Sequence, residues 1–151
     1  MATITSNKFR QLLLQKNIDL VNDSGIKVML FNSSYTPDKD HDFVSSITGG
    51  TTKELSGTGY TAGFGGSGRK ALTGRVITRD DATDKVYFDA NDATWTGLNA
   101  GTIGGAALIK EVTTDTDSII ICSLDPADLV TNGSDVLGQW AADGLVNLTS
   151  A

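Results

Sequence analysis

Cysteine, histidine and proline are scarce in this sequence of 151 residues, which contains one Cys, one His and two Pro. The single cysteine, Cys122, excludes an internal disulfide bond and a zinc site built from several cysteines. The single histidine, His41, leaves little room for histidine-dependent catalysis. No run approaches the roughly 20 apolar residues that a membrane-spanning helix requires, so we expect no membrane partner.

Positive charge is also in short supply. Lys and Arg together number 12 against 18 for Asp and Glu, which gives a formal net charge of -6. A nucleic-acid partner requires a basic surface that neutralises a row of phosphates, so we expect none. Hydrophobic residues make up 39% of the chain and charged residues 20%, a balance that is typical of a folded domain.

Residues that favour turns and strands are abundant: there are 17 glycines, and Asp outnumbers Glu among the acids. Roughly seven or eight short strands with hairpin spacing predict an all-β fold, an antiparallel β-sandwich of the immunoglobulin-like or jelly-roll-like type. We assign it to residues 26–151, preceded by an N-terminal arm over residues 1–25. Residues 26–31 are apolar on both faces of the predicted strand, so we expect both faces to be covered. The predicted hairpins join residues 69–80 to 85–89, 106–112 to 118–124, and 136–141 to 145–149.

The N-terminal arm contains the one convincing helix pattern. Thr5 or Ser6 can cap a short α-helix, and the pattern ends near residues 22–25, where stop residues accumulate. Because an isolated helix this short is marginal in water, it must pack on the sheet of its own domain or on a neighbouring subunit. The apolar residues that share one face of this helix are Phe9, Leu12 and Leu13.

Two segments match ligand-binding patterns only in part. Residues 63–68 fit G-x-G-x-x-G, but a strand pattern follows where a nucleotide site needs a helix N-terminus, so we predict a flexible loop. Residues 38–42, DKDHD, could offer ligands to Ca²⁺ or to a transition metal, but the EF-hand pattern fails and we predict a solvated acidic loop. The wider segment 33–50 is predicted to lack regular structure. We therefore predict no catalytic, cofactor-binding or metal-binding residues.

The cysteine and both tryptophans are predicted to be core residues. Cys122 lies within a run of isoleucines, where a buried thiol is the usual finding. Trp95 and Trp140 could stack on a carbohydrate, but aromatic residues in strand patterns are more often buried.

Several short phrases occur in an order that resembles a family of small virion proteins from tailed bacteriophages. They cover residues 26–149, apart from a longer glycine loop over residues 64–70. The resemblance implies a β-sandwich that is an accessory structural part of the particle and has no known activity. The phrases are KVML at 27–30, SSYTPD at 33–38, HDF at 41–43, ELSGTGYTAG at 54–63, LTG at 72–74, VYFDANDATWT at 86–96 and WAADGLVNLT at 140–149.

Within such a family we favour a capsid decoration, or cement, protein that binds the major capsid protein on the outer head surface. The expected location is the virion, assembled in the host cytoplasm, and the expected state is a homo-oligomer, with a trimer favoured. The alternative is a tail, fibre or baseplate component for attachment or host-surface binding, which exposure of Tyr60, Phe64 or Trp95 would favour. The candidate interaction residues are Phe9, Leu12 and Leu13 on the helix, and Phe64, Arg69 and Lys70 in and after the glycine loop.

Overall fold

The computed structural model describes residues 2–50 and 52–149. Strands dominate that part of the chain, and every strand pair within it is antiparallel, which confirms the predicted all-β antiparallel fold. The elements are β1 (Ala2–Thr5), α1 (Asn7–Leu14), β2 (Ile26–Asn32), α2 (Ser45–Thr48), β3 (Lys70–Ala71), β4 (Val76–Asp80), β5 (Lys85–Asp89), β6 (Ala93–Trp95), β7 (Thr102–Lys110), β8 (Ile119–Asp125), β9 (Leu129–Val130), β10 (Val136–Gly138) and β11 (Val146–Thr149).

The main sheet has the order β1-β8-β7-β2-β3, and β9 pairs with the first two residues of β7. Because side chains alternate between the two faces of a strand, β2 sends Val28 and Leu30 to one face and Met29 and Phe31 to the other. All four are buried, in two separate hydrophobic clusters. The prediction that both faces of this strand are covered is therefore confirmed.

Two small sheets form the second layer over one face of the main sheet. They are the three-stranded sheet β11-β5-β4 and the pair β10-β6. Phe88 of β5 and Trp95 of β6 are buried in the same cluster as Val28 and Leu108 of the main sheet. The indole Nε1 of Trp95 donates a hydrogen bond to the carbonyl oxygen of Gly68 at 2.7 Å. Trp95 is thus a core residue, as predicted, and Trp140 is half-buried against the same cluster.

Residues 33–50 cover the other face of the main sheet. Tyr35, Val44 and Ile47 are buried there against Met29, Phe31, Ala107, Ile109 and Ile120. The prediction that this polar segment lacks regular structure is wrong in one place, because residues 45–48 form the single turn α2. Three apolar side chains among many polar ones are enough to close this face, since they are spaced to meet the sheet.

The predicted strand over residues 69–80 is divided between two sheets. Gly74 interrupts it with a φ of +61°, and a Cβ atom at this position would lie 2.4 Å from the Oδ1 atom of Asn91. A residue other than glycine would disfavour this backbone conformation, and its Cβ atom would clash with the Asn91 side chain. β3 therefore joins the main sheet, while β4 forms the predicted hairpin with β5.

The predicted hairpin between residues 136–141 and 145–149 is wrong. β10 pairs with β6, and β11 pairs with β5. In the observed register Val146 lies opposite Phe88 and Leu148 lies opposite Val86, so apolar side chains of two strands share one face. A hairpin turn between consecutive strands was available, but burial of Val146 against Phe88 decides the partners. The predicted pairing of β7 with β8 is confirmed.

The N-terminal arm is packed into the sandwich. β1, which the sequence pattern did not reveal, pairs with β8, so that Thr5 lies opposite Cys122. Ser6 caps α1, because its Oγ accepts a hydrogen bond from the backbone nitrogen of Phe9 at 3.1 Å. The helix ends at Leu14, about two turns before the predicted end, and Lys16 follows with a φ of 57°. Phe9 lies in the core, so the helix packs on its own chain.

Alanine substitutions at two positions of α1 test this packing. Phe9 is 1% exposed and Leu14 is 86% exposed. We expect Phe9→Ala to lower the free energy of unfolding by about 3–5 kcal/mol, because it leaves a cavity under the helix. Leu14→Ala, the matched control, is expected to change it by less than about 0.5 kcal/mol. Urea unfolding of both variants measures the difference, and equal effects would contradict the described packing.

Candidate interaction surface

The six candidate interaction residues lie in three different environments. The predicted interaction roles of Phe9 and Arg69 are corrected, because both side chains are buried inside the chain itself. Leu12 and Leu13 are half-buried and pack on the edge of the core. Lys70 is half-buried in β3, and Phe64 is exposed in the glycine loop. The helix face and the loop are therefore separate features, and the buried Arg69 side chain belongs to neither exposed surface.

Arg69 is the centre of a buried ion cluster with Glu54, Glu111 and Asp115. Its Nε and Nη2 atoms donate to the two carboxylate oxygens of Glu54 at 2.9 and 2.7 Å. Its Nη1 atom donates to Glu111 at 2.9 Å, and Nη1 and Nη2 donate to the two oxygens of Asp115 at 2.7 and 3.1 Å. All the N–H donors of a guanidinium group are engaged in this way. Lys27 adds a further ion pair with Glu111.

Glu54 connects the ion cluster to the glycine loop. Its Oε2 atom accepts a hydrogen bond from the backbone nitrogen of Gly63 at 3.0 Å, where the loop begins. Its Oε1 atom accepts one from the hydroxyl of Tyr60 at 3.2 Å. Gly68, at the end of the loop, packs so closely on the Tyr60 ring that a Cβ atom would lie 2.4 Å from it. Both ends of the loop are thus fixed, and Phe64 between them is 47% exposed.

The pKa directions in the ion cluster match a permanent structural role. Burial opposes the charge of Arg69, but hydrogen bonds to Glu54 and Asp115 raise its pKa above the ordinary arginine value. Burial also opposes the charge of Asp115, and the Arg69 guanidinium lowers the pKa of that carboxyl below its ordinary value. Burial, followed by the Glu54 charge, raises the pKa of Tyr60. Arg69 and Asp115 therefore stay charged near neutral pH, and their contacts join the loop to the main sheet.

The acidic segment 38–42 contacts the start of α1. The backbone nitrogen of Lys8 donates to Asp42 at 3.0 Å, and the Asn7 side chain donates to Asp40 at 2.7 Å. Carboxylates at a helix N-terminus are stabilising, because they accept from unpaired N–H groups and complement the helix dipole. The Nδ1 atom of His41 lies 3.0 Å from the hydroxyl of Tyr35. Within residues 2–50 and 52–149, no group of three His, Cys, Asp or Glu side chains is arranged to hold a metal ion.

One group of exposed apolar side chains lies where the small sheet extends beyond the core. Ile77 lies opposite Phe88, and Val86 and Leu148 form the next cross-strand pair on the same face of the small sheet. The main sheet does not cover this second pair, and both of its side chains are exposed. Leu14 at the end of α1 is close by, since clefts of about 400 and 130 Å³ run between the helix and Leu148. We call Leu14, Ile77, Val86 and Leu148 the helix–hairpin surface.

A second group lies around β9 and β10. Leu129 and Leu137 line a mainly apolar cleft of about 220 Å³, and Val130 adjoins them in β9. All three side chains are exposed. We call them the β9–β10 surface. β9 continues the direction of β8 along β7 after the irregular segment 126–128.

Comparisons with protein-family models, with curated proteins and with solved structures found no match to this chain. Across the described ranges, none of the helices has the length and apolar character needed to cross a membrane. The protein is an antiparallel all-β sandwich with one short N-terminal helix. The features that we take forward as candidate contacts are the anchored loop with Phe64 and the two apolar surfaces.

Substitution of Arg69 tests the importance of the ion cluster. We expect Arg69→Met to lower the free energy of unfolding by about 3–5 kcal/mol, because three carboxylates would remain together without their common partner. The matched control is Arg79→Met, since Arg79 pairs with Asp81 on the exposed hairpin, and its expected effect is below about 1 kcal/mol. Chemical denaturation of both variants checks this. An equally small effect of both would show that the buried cluster does not stabilise the fold.

The low pKa of Asp115 makes stability depend on pH. The unfolded state, in which this carboxyl returns to its ordinary value of 3.8, binds the proton first as the pH falls. The contribution is therefore complete above that value and is lost as the pH falls through the lower pKa of the folded state. We expect the acid-induced loss of stability below about pH 4 to be smaller in Asp115→Asn than in wild type. Urea midpoints across this range measure it, and parallel pH curves would contradict the assignment.

Proposed function

We propose that this chain is a non-enzymatic structural protein of a bacteriophage particle, a decoration protein that binds the major capsid protein on the outside of the head. The ordered phrases over residues 26–149 that resemble small virion proteins support the phage assignment. The antiparallel sandwich supports it at the level of fold. The partner, the location on the virion and the homo-oligomeric state belong to the same proposal.

The observation that carries this proposal is the distribution of exposed apolar side chains. Of the ten large apolar side chains exposed in the described part of the chain, seven belong to the helix–hairpin and β9–β10 surfaces. Phe64 occupies a third location on the anchored loop. Apolar patches in several places are typical of a protein that contacts neighbours on more than one side. A subunit of a surface lattice needs this arrangement, because it meets both the shell and other copies.

The buried polar groups and the buried thiol of the described residues are engaged within the protein itself, as in a structural core. Every buried side-chain nitrogen or oxygen has a hydrogen-bond partner within the described part of the chain. Burial raises the pKa of the Cys122 thiol to about 12, so the thiol stays protonated near neutral pH. The donors of Arg69 are all engaged with carboxylates.

The loop with Phe64 is the contact that we assign to the shell. Glu54 and Tyr60 hold its two ends, so a partner meets a loop that is already ordered and loses less conformational entropy on binding. A ligand that binds only the assembled shell stabilises it by mass action. Several linked copies bind more tightly than one, because the second contact becomes intramolecular.

The tail or host-binding alternative receives less support from the aromatic residues. Exposed Tyr60, Phe64 and Trp95 would have favoured a carbohydrate-binding platform, but Tyr60 and Trp95 are each only 1% exposed. Both side chains also use their polar atoms internally. Phe64 alone remains, and a single aromatic side chain is better suited to fill a pocket on a protein partner.

The proposal is tested on particles of the phage that carries this gene. We expect deletion of the gene to remove density from the outer head surface in cryo-electron microscopy and to lower survival after heat or osmotic shock. Purified protein added back should restore both. Loss of density from the tail would support the alternative instead, and unchanged particles would overturn a structural role.

A substitution at the loop locates the contact with the shell. We expect Phe64→Ser to weaken binding to depleted heads about tenfold or more, since burial of a Phe side chain contributes about 1.5–3 kcal/mol. Val112→Ser is the matched control, because Val112 is 50% exposed but lies outside the loop and both surfaces. Quantitative binding to depleted heads measures both. Equal occupancy by the two variants would remove the loop from the interface.

A further inference from the structure

The helix of the helix–hairpin surface and the strands of the β9–β10 surface belong to chain segments of opposite charge. Residues 1–18 contain Lys8, Arg10 and Lys16 and no acidic residue. Residues 111–151 contain seven acidic residues and no Lys or Arg. Asp40 and Asp42 contact the start of α1, but the end of the helix beside Leu14 carries Arg10 and Lys16. The β9–β10 surface has Asp125 and Asp128 beside it.

We propose that copies of this chain associate head to tail, with the helix–hairpin surface of one copy packed on the β9–β10 surface of the next. The proposal deepens the homo-oligomeric part of the proposed function and rests on that part alone. It names the faces that meet, and the partner is a second copy of the same chain.

The start of α1 and strand β9 lie at opposite ends of the main sheet, and the two surfaces share no residue. Val130 pairs with Thr102 at the beginning of β7. Ser6, which precedes α1, donates its hydroxyl to the carbonyl of Ile120, and Ile120 lies opposite Ile109 near the end of β7. Thr102 and Ile109 are seven residues apart along β7, a distance on the order of 20 Å. One copy can therefore use both surfaces at once with two different neighbours.

The shapes of the two surfaces also match. Leu14 is the most exposed large apolar side chain in the described residues, at the last position of α1. The β9–β10 surface contains the cleft of about 220 Å³ lined by Leu129 and Leu137. A protruding leucine on one copy and an apolar cleft on the next give a contact in which both lose exposure to water.

Charge around the contact favours the head-to-tail arrangement over a two-fold contact between β9–β10 surfaces. Arg10 lines the cleft beside Leu14, and Lys16 follows on the same exposed end. The hairpin side of that surface is mixed, since its charged residues are Arg79, Lys85, Asp80, Asp81 and Asp84. Two β9–β10 surfaces facing each other would bring Asp125 and Asp128 against their own copies, and like charges disfavour such a contact.

Head-to-tail contacts close into a ring when the rotation between copies is a whole fraction of a turn. In a closed ring, every copy has the same orientation relative to the rotation axis. All the Phe64 loops then lie on the same side, where a curved shell could meet them together. The favoured homotrimer is the ring with three such contacts.

Two surface variants test the inference in solution, without any phage particle. The first, Leu14→Gln with Ile77→Thr, damages the helix–hairpin surface. The second, Leu129→Thr with Val130→Thr, damages the β9–β10 surface. All four side chains are exposed, so both variants should unfold at the wild-type temperature when the protein is dilute enough for wild type to be monomeric. Val112→Thr, outside both surfaces, is the control.

Sedimentation and light scattering over a concentration series up to the solubility limit give the result. We expect wild type and the control to associate, with weaker association at high salt because the charges are screened. Each surface variant alone should be a monomer, and an equimolar mixture should form a dimer, since each supplies the surface that the other lacks.

Four results would overturn the inference. Wild-type protein that stays monomeric at every concentration shows that the surfaces do not bind each other. Association of each variant as strongly as wild type shows that other residues form the contact. A monomer for one variant and undiminished association for the other shows a two-fold contact through a single surface, and two monomeric variants that stay monomers on mixing show that the surfaces do not bind each other. Binding to phage heads is a separate measurement, so failure of the decoration role leaves these outcomes unchanged.

Discussion

The main sheet has to be buried on both faces, because β2, β7 and β8 are apolar on both faces. This requirement explains most of the fold. The small sheets and α1 cover one face, and the segment with Tyr35, Val44 and Ile47 covers the other. What remains of the chain, chiefly the anchored loop and the ends of the small sheets, extends beyond the covered area. The surfaces available to partners are therefore a result of how the core is closed.

The ion cluster around Arg69 solves a second problem, which is to hold a glycine-rich loop in one place. Glycine loses more conformational freedom on folding than other residues, so a loop of this composition needs strong contacts at its ends. Glu54 provides them at Gly63 and, through Tyr60 and Arg69, at the far end. A buried charge cluster is a costly way to gain stability, but its geometry is specific. It determines where Phe64 lies relative to the main sheet.

Sequence patterns predicted the elements whose neighbours in space are also neighbours in the chain. The hairpins β4–β5 and β7–β8, the two-sided burial of β2 and the burial of Cys122 and Trp95 all follow from alternation and turn residues. The pairing of β11 with β5 did not follow, because it depends on long-range burial of Val146 against Phe88. Arg69 was misassigned for a similar reason: its three carboxylate partners lie 15, 42 and 46 residues away. The exposure of Leu148 depends on where the main sheet stops, which alternation within β11 does not reveal.

The buried thiol has a consequence for folded copies that meet at high concentration. Oxidants and other thiols react with the thiolate form of an accessible cysteine. Cys122 is enclosed by both layers of the sandwich, and its high pKa keeps it in the unreactive form. Folded copies packed at high density therefore do not become covalently cross-linked in air, and contacts between them stay reversible.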